Sequence, residues 1–127
     1  MIPGMSQNHP SFLRSFGFAA QGFRVAFKTE RNTKVMCLGA LLSIIAGFVV
    51  GLDPIRWAIV LLCCGVVIFA ELINTTIETV VDLVSPEFHP LAGRAKDMAA
   101  AAVYLLCLFV AIVGIIVFGT AIYERFF

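Results

Sequence analysis

Long apolar runs separated by short polar segments divide this chain into predicted helices. Residues 35–52 form an uncharged run of eighteen residues. As a helix this run is about 27 Å long, enough to cross a hydrocarbon core of about 30 Å. Two further predicted spans cover residues 56–84 and 98–122, and the segment between them contains Pro86 and Pro90. The pattern predicts an all-α membrane protein in which residues 1–127 form a single domain with three transmembrane helices.

A fourth helix is predicted over residues 11–29, where apolar and basic positions alternate with a helical period. The apolar positions include Phe12, Phe16, Phe23 and Phe27, and the polar ones Arg14, Gln21, Arg24 and Lys28. Such a helix is too polar to span a bilayer and suits the headgroup region. Residues 30–34 are predicted to form a polar hinge, and residues 1–10 a poorly ordered tail.

Composition indicates that these helices lie in a membrane, and the distribution of charge predicts their orientation across it. The chain is 61% hydrophobic and 13% charged, with cysteines confined to apolar runs, which argues against a soluble domain or a metal cluster. No basic patch with interleaved aromatics is present, so a nucleic-acid partner is not expected. Five of the nine Lys and Arg precede the first span. This bias predicts a cytoplasmic N-terminus and Pro86 loop, with the Asp53 turn and the C-terminus outside.

Four polar residues follow one face of the second span. At 100° per residue, Glu71, Asn74, Glu78 and Asp82 fall within one narrow stripe. The apolar segment 57–70 is about 21 Å long, which places Glu71 about 9 Å below the inner surface of the hydrocarbon core. Carboxylates at that depth are costly unless they serve a function.

The depth gradient along this stripe indicates a division of chemistry. Glu71 is suited to act as a general base for a substrate that lives in the membrane. Glu78 and Asp82, at the wet end, could hold a hard cation through oxygen. Glu30 reaches the same interface from the first span, so Glu30 and Glu78 together could ligate Mg²⁺.

The second loop adds a basic group at this interface. Lys96 could receive phosphate charge, with Asp97 holding it in place, whereas His89 is interpreted as a loop residue because no second His is near. A nucleotide would need such groups, since the chain has no Gly-rich phosphate loop. One alternative is a non-catalytic oligomeric membrane protein whose stripe only joins helices. Ion conduction is disfavoured because residues 57–70 offer no polar path.

Two segments carry a family resemblance. ELINTTIETVVD, from Glu71 to Asp82, and HPLAGRAKD, from His89 to Asp97, resemble the prokaryotic diacylglycerol kinase and undecaprenol kinase family. The pattern E-x-x-N-x-S/T-x-E-x-x-x-D followed by A-K-D is long and specific. The resemblance implies a homotrimer in the bacterial inner membrane with active sites shared between subunits at the cytoplasmic interface. It also implies transfer of the γ-phosphate of MgATP to the hydroxyl of a membrane lipid.

By motif match, the resemblance implies a role for each polar position. Glu71 matches the catalytic base, and Glu30 and Glu78 match the Mg²⁺ ligands. The positions matched to the nucleotide site are Glu30, Asn74, Glu78, Asp82, Glu87, His89, Lys96 and Asp97.

The chain departs from the family at two positions near the nucleotide. Ser11 stands where the family commonly has a basic residue, and Phe18 stands where it has a tyrosine. Arg14, one helical turn beyond Ser11, is a candidate replacement for the first.

The lipid acceptor follows less directly from the motifs. The His-Pro-Leu-Ala form of the loop and the E-x-N at residues 30–32 resemble undecaprenol kinases, whereas the run 93–98 resembles diacylglycerol kinases. Undecaprenol is slightly favoured, and diacylglycerol, phosphorylated to phosphatidic acid, is the alternative.

Overall fold

Four α-helices make up the part of the chain that the computed structural model describes, residues 11–127. They are α1 (Phe12–Thr29), α2 (Arg31–Val50), α3 (Pro54–Val84) and α4 (Pro90–Phe126), and no strand occurs within 11–127. Helices α2, α3 and α4 are each long and apolar enough to cross a membrane. The predicted all-α, three-span fold class is therefore confirmed, and the chain is a multi-pass membrane protein. The tail predicted for residues 1–10 lies outside the described residues.

A single residue separates the surface helix from the first span. Glu30 adopts an extended conformation (φ −108°, ψ 117°), and α2 begins at Arg31. The prediction of a five-residue hinge was therefore wrong, because residues 31–34 already form the first turn of α2. Ser11 caps the other end of α1, where its side chain accepts a hydrogen bond from the backbone N–H of Arg14 at 3.4 Å.

Helix α4 is longer than the predicted third span at both ends. It begins at Pro90 and ends at Phe126, so residues 91–97, which lie before the predicted span 98–122, are also helical. Proline fits the first turn of a helix, where its missing N–H needs no partner, and His89 caps this turn. With 37 residues the helix is about 55 Å long, which is more than the thickness of a hydrocarbon core of about 30 Å.

Small and branched residues pack the end of the bundle at which α2 ends and α3 begins. Leu52, Val60, Val117 and Ala121 form its buried cluster. Gly47 of α2 permits a close approach here, because a Cβ on it would lie 2.7 Å from Cη2 of Trp57. Helix α2 therefore meets the start of α3 at this end.

Arg56 ties the start of α3 to the end of α4. Its guanidinium donates to Asp53 Oδ1 at 2.7 Å and to both carboxylate oxygens of Glu124 at 3.0 Å. It also donates to the Thr120 hydroxyl at 3.0 and 3.2 Å. The hydrogen bond from Arg56 holds the pKa of Asp53 below its usual value. Arg125 donates to the carbonyls of residues 49 and 50 at the end of α2, so all three spans are joined here.

Candidate active site

The polar stripe on α3 runs from the interior of the bundle to its surface. Glu71 is 2% exposed and Asn74 is 6% exposed, whereas Glu78 is half-buried and Asp82 exposed. The four residues lie at helical spacing on one face, so each successive polar group lies nearer to the end of the helix. Burial within the chain thus decreases from Glu71 to Asp82, in the same direction as the predicted gradient from a dry end to a wet end, and the depth of these residues in a membrane stays a prediction.

The dry end of the stripe contains polar atoms with incomplete hydrogen bonding. Asn74 Nδ2 donates to Glu78 Oε1 at 3.4 Å. Glu71 Oε2 and Asn74 Oδ1 are buried and have no hydrogen-bond partner among residues 11–127. Buried polar groups in folded proteins are normally paired, and exceptions often mark functional positions. The dry end of the stripe is therefore a candidate functional position.

The carboxylates of Glu30 and Glu78 lie close enough to Glu71 to interact with it electrostatically. Glu30 comes from the α1–α2 junction, where it ends one helix and precedes the next, and it is half-buried. The structure thus brings together three carboxylates that sequence analysis had assigned to two helices. Cys107 of α4 also lies near Glu71, so the buried carboxylate lies between α2, α3 and α4.

The carboxylates of Glu30 and Glu78 suit Mg²⁺ better than a softer metal or one that needs more protein ligands. Within residues 11–127, no group of three or more His, Cys, Asp or Glu is arranged to hold a metal ion. Mg²⁺ in phosphotransfer sites is bound by one or two carboxylates together with substrate phosphates and water. Glu30 and Glu78 fit that requirement, because both are acidic, half-buried and adjacent to the buried end of the stripe.

The wet end of the stripe is an ion pair between two helices. Lys96 Nζ lies 2.5 Å from Asp82 Oδ1. The expectation that Asp97 would hold Lys96 was therefore wrong. Adjacent residues on a helix point about 100° apart, so Asp97 is exposed while Lys96 turns toward α3.

The loop between α3 and α4 presents two more of the predicted residues. Its backbone is held by the Ser85 hydroxyl, which donates to the Glu87 carbonyl at 2.9 Å. His89 Nδ1 accepts a hydrogen bond from the N–H of Leu91 at 3.1 Å, so the ring caps α4. Glu87 and His89 are exposed, and the cap leaves His89 Nε2 facing outward from the helix start.

The two positions that depart from the family both lie on α1. Ser11 caps this helix, so it has a structural role that a basic residue would not fill. Phe18 and Arg14 are exposed, and the surface of α1 therefore offers a guanidinium one turn beyond Ser11.

An apolar crevice of about 420 Å³ lies deeper in the bundle between α2, α3 and α4. It begins near Val67, one turn before Glu71, and reaches Phe118 toward the end of the bundle that contains Arg56. Its lining includes no Asp, Glu, Lys, Arg or His, so it offers no group for acid–base chemistry or phosphate binding. The chemistry of the bundle is thus concentrated at the stripe.

Sequence analysis missed one buried polar residue, Thr33. It lies in the first turn of α2 and is 1% exposed. Its hydroxyl has no hydrogen-bond partner in the described part of the chain. The polar run around it suggested a solvated hinge, and its burial depends on how α2 packs against α3.

Comparison with known proteins identifies the family. The sequence profile of the prokaryotic diacylglycerol kinases matches residues 17–118, which include the whole stripe and the A-K-D segment. The chain belongs to the prokaryotic diacylglycerol kinase family. It is therefore a membrane lipid kinase, and the resemblance drawn from its motifs is confirmed.

Relatives of this chain are named after two different lipids. The undecaprenol kinase of Bacillus subtilis is 40% identical over 107 residues, covering 84% of this chain and 87% of that protein. The diacylglycerol kinase of Synechocystis sp. is 40% identical over 106 residues, covering 83% and 61% of the two chains. The diacylglycerol kinase of Escherichia coli is 32% identical over 112 residues, covering 86% and 91%. The relatives that are 40% identical thus include one named for each lipid.

Proposed function

We propose that this kinase transfers the γ-phosphate of MgATP to undecaprenol, with diacylglycerol as the second candidate acceptor. The observation that carries the reaction is the buried Glu71 carboxylate, with the half-buried carboxylates of Glu30 and Glu78 near enough to interact with it electrostatically. The His-Pro-Leu-Ala loop from His89 and the E-x-N at Glu30 favour undecaprenol. Diacylglycerol remains the second candidate for two reasons. The run 93–98 resembles diacylglycerol kinases, and the relative from Synechocystis sp., which is as identical to this chain as the undecaprenol kinase, is named a diacylglycerol kinase.

Glu71 acts as the general base in this proposal. The lipid hydroxyl approaches from the bilayer side, and Glu71 takes its proton as the oxygen bonds to the γ-phosphorus. The bond between that phosphorus and the oxygen of the β-phosphate breaks at the same stage, and ADP leaves. A base at this depth meets the hydroxyl of an acceptor that stays in the membrane throughout.

Glu30 and Glu78 would hold Mg²⁺ against the nucleotide phosphates. When bound, the ion supplies positive charge that offsets the charge of the transferring phosphoryl group and of the leaving ADP. The Asn74 amide, which donates to Glu78, orients this carboxylate. Glu78 is thus held at the boundary between the buried base and the water-filled side.

The wet end binds the remainder of the nucleotide. Asp82 follows Glu71 by 11 residues, a rise of about 16 Å along the helix, and Lys96 is held at that level by its ion pair with Asp82. A nucleoside triphosphate is elongated, so its γ-phosphate can lie near Glu71 while Lys96 contacts its other phosphates. Asp97, Glu87 and His89 complete this end of the site around the ribose and base.

The enzyme acts as a homotrimer in the bacterial inner membrane, with its site on the cytoplasmic side. In the single chain, large apolar side chains are exposed along all three spans. Lipid and neighbouring subunits would cover these surfaces. The cytoplasmic position follows from the Lys and Arg that precede α2, and it gives the site access to ATP.

Phosphorylation of added lipid tests this function. Purified protein in detergent should phosphorylate undecaprenol with a higher kcat/KM than diacylglycerol, in a reaction that requires Mg²⁺ and ATP. Glu71→Gln should insert and assemble normally but lose at least about a hundredfold in kcat, since general base catalysis contributes 10²–10⁴-fold.

Glu124→Gln is the matched control, because it makes the same chemical change at the opposite end of the bundle. This variant should keep its activity. Full activity of Glu71→Gln would overturn the assignment of the base, and preference for diacylglycerol would establish the second candidate acceptor.

A further inference from the structure

The hydroxyls of Thr33 and Thr75 differ from other hydroxyls in the described helices, because both are buried without a hydrogen-bond partner among residues 11–127. Several of the other hydroxyls donate to the carbonyl four residues earlier at 2.8 Å, namely those of Thr29, Ser43, Thr76, Thr79 and Thr120. Thr33 Oγ1 makes no such bond and has no partner within residues 11–127, although the residue is 1% exposed. Its hydroxyl is therefore buried without the hydrogen bond to a backbone carbonyl that those other hydroxyls make.

The break at Glu30 explains why Thr33 cannot bond back along its own helix. The carbonyl four residues earlier belongs to Thr29, the last residue of α1. Because Glu30 is extended, the helical path from Thr29 to Thr33 is interrupted and that carbonyl is not in line. Glu30 and Thr33 are also three residues apart, so they share one side of the helix start. The hydroxyl of Thr33 thus remains available for a group outside α2.

The packing register places Thr33 opposite Glu71. Helices α2 and α3 are antiparallel and meet where Trp57 covers Gly47. Thr33 precedes Gly47 by 14 residues, and Glu71 follows Trp57 by 14. At an equal rise per residue, the two side chains lie at the same depth. Met36 and Val67, one turn away on their respective helices, line the same crevice, which agrees with this register.

Four buried polar atoms without partners in the described chain, on Thr33, Glu71, Asn74 and Thr75, therefore lie at neighbouring depths. Thr75 follows Glu71 by four residues on α3, whereas Thr33 is the member that α2 contributes. Thr33 supplies a hydrogen-bond donor, and Glu71 Oε2 and Asn74 Oδ1 supply acceptors, each unpaired in the described chain. Leaving a buried polar group unpaired is unfavourable, so their coincidence points to a ligand. An alcohol hydroxyl is the complementary group, since it donates one hydrogen and accepts through its oxygen.

We propose that Thr33 binds the hydroxyl of the lipid acceptor and holds it against Glu71. The Thr33 hydroxyl donates to the lipid oxygen, and the lipid hydroxyl donates to Glu71 Oε2. The oxygen keeps one lone pair free for attack on phosphorus, and its proton points at the base. This inference rests on the proposed function and adds the residue that selects a hydroxyl as the acceptor group.

Variants of Thr33 that differ only in the hydroxyl test the proposal with the trimeric enzyme and undecaprenol, diacylglycerol and ATP as substrates. Thr33→Val should lower kcat/KM for the lipid about tenfold and leave KM for ATP unchanged, because one hydrogen bond to substrate is lost. Its thermal stability should be equal or higher, since a methyl group replaces an unpaired buried hydroxyl. Ser43→Ala is the matched control on α2, because that hydroxyl already donates to Gly39, and it should leave both kinetic constants unchanged.

A second pair keeps the test valid if Thr33→Val disturbs assembly. Thr33→Ser and Thr33→Ala remove the same methyl group and differ only in the hydroxyl, so Ser should retain activity and Ala should lose about tenfold. Equal kcat/KM for Ser and Ala, or a loss confined to stability, would overturn the role of Thr33. That result leaves the proposed function intact, which fails separately if Glu71→Gln remains active.

Discussion

Three side chains carry buried polar atoms that a membrane protein would not keep for stability alone. Thr33, Glu71 and Asn74 are the buried polar residues within 11–127, and each has an atom without a partner there. A polar group in a low-dielectric interior costs free energy unless it is paired. Their lack of partners within the described residues favours a reactive site over helix association, because polar groups that join helices are paired across the contact.

A substitution of Lys96 should affect the binding of ATP without affecting the stability of the protein. The side chain of Lys96 is 39% exposed and its partner Asp82 is 64% exposed, and exposed ion pairs add little to folding. Lys96→Met should therefore raise KM for ATP about tenfold while the melting temperature in detergent stays within about 3 °C. Initial rates at varied ATP and a thermal melt measure the two effects.

Arg94→Met is the control for charge alone, since Arg94 is an exposed cation in the same helical turn. It should leave KM for ATP unchanged. If Lys96→Met instead lowered the melting temperature strongly and left KM for ATP unchanged, the ion pair would be a structural contact between α3 and α4.

Individual residues differ in how well the sequence predicts them. The burial of Glu71 follows from its position on a long apolar helix, because depth can be counted along a single element. The partner of Lys96 and the burial of Thr33 depend on how two helices pack. Spacing along one helix carries no such information, which is why Asp97 was assigned to Lys96 and Thr33 was treated as part of a hinge.

Close packing of α2 against α3 sets the register on which the site depends. Gly47→Ala would place a Cβ 2.7 Å from Trp57 Cη2 and 3.1 Å from Leu52 Cδ1. The ring cannot yield freely in a packed cluster, so we expect a loss of about 1–3 kcal/mol in stability. Thermal unfolding or inactivation in detergent measures this loss.

Gly39→Ala is the matched change on the same helix, since a Cβ there meets nothing within 4 Å in the chain. Alanine is also the better helix former, so this variant should be as stable as the parent or more so. Equal stability of the two variants would show that α2 and α3 do not approach as described.

The ends of the helices were harder to predict than their existence. Apolar runs locate α2, α3 and α4, but polar residues at 31–34 and 91–97 continue the helices beyond those runs. Such residues have no strong preference against helix. At these two places the helices are interrupted at Glu30 and at the segment 85–89. Proline was correctly taken as a break at Pro86, whereas Pro90 begins a helix because its position is the first turn.

The two ends of the whole bundle differ in their polar contacts. Arg56 and Arg125 join the three spans at one end through bonds to Glu124, Asp53 and the end of α2. The other end holds the carboxylate stripe and the half-buried groups around it. A tightly bonded end and a reactive end suit an enzyme that keeps its helices in register while two substrates enter at the opposite surface.

Two phenylalanines at opposite ends of α4 provide a test of orientation. Phe88, in the loop before α4, is 91% exposed, and Phe127, just after it, is 92% exposed. Lys and Arg are concentrated before α2 and at the start of α4, so Phe88 should lie in the cytoplasm and Phe127 outside. In intact cells, a membrane-impermeant thiol reagent should label Phe127→Cys and leave Phe88→Cys unlabelled.

Both variants should react equally once the membrane is broken, because the two side chains are equally exposed in the chain. The native cysteines lie within the spans and are partly buried, so a cysteine-free parent supplies the background. Labelling of Phe88→Cys in intact cells would place the stripe on the outer side, away from cytoplasmic ATP. The assignment of Glu30, Glu78 and Lys96 to a nucleotide site would then fail, since that site needs the same compartment as its nucleotide.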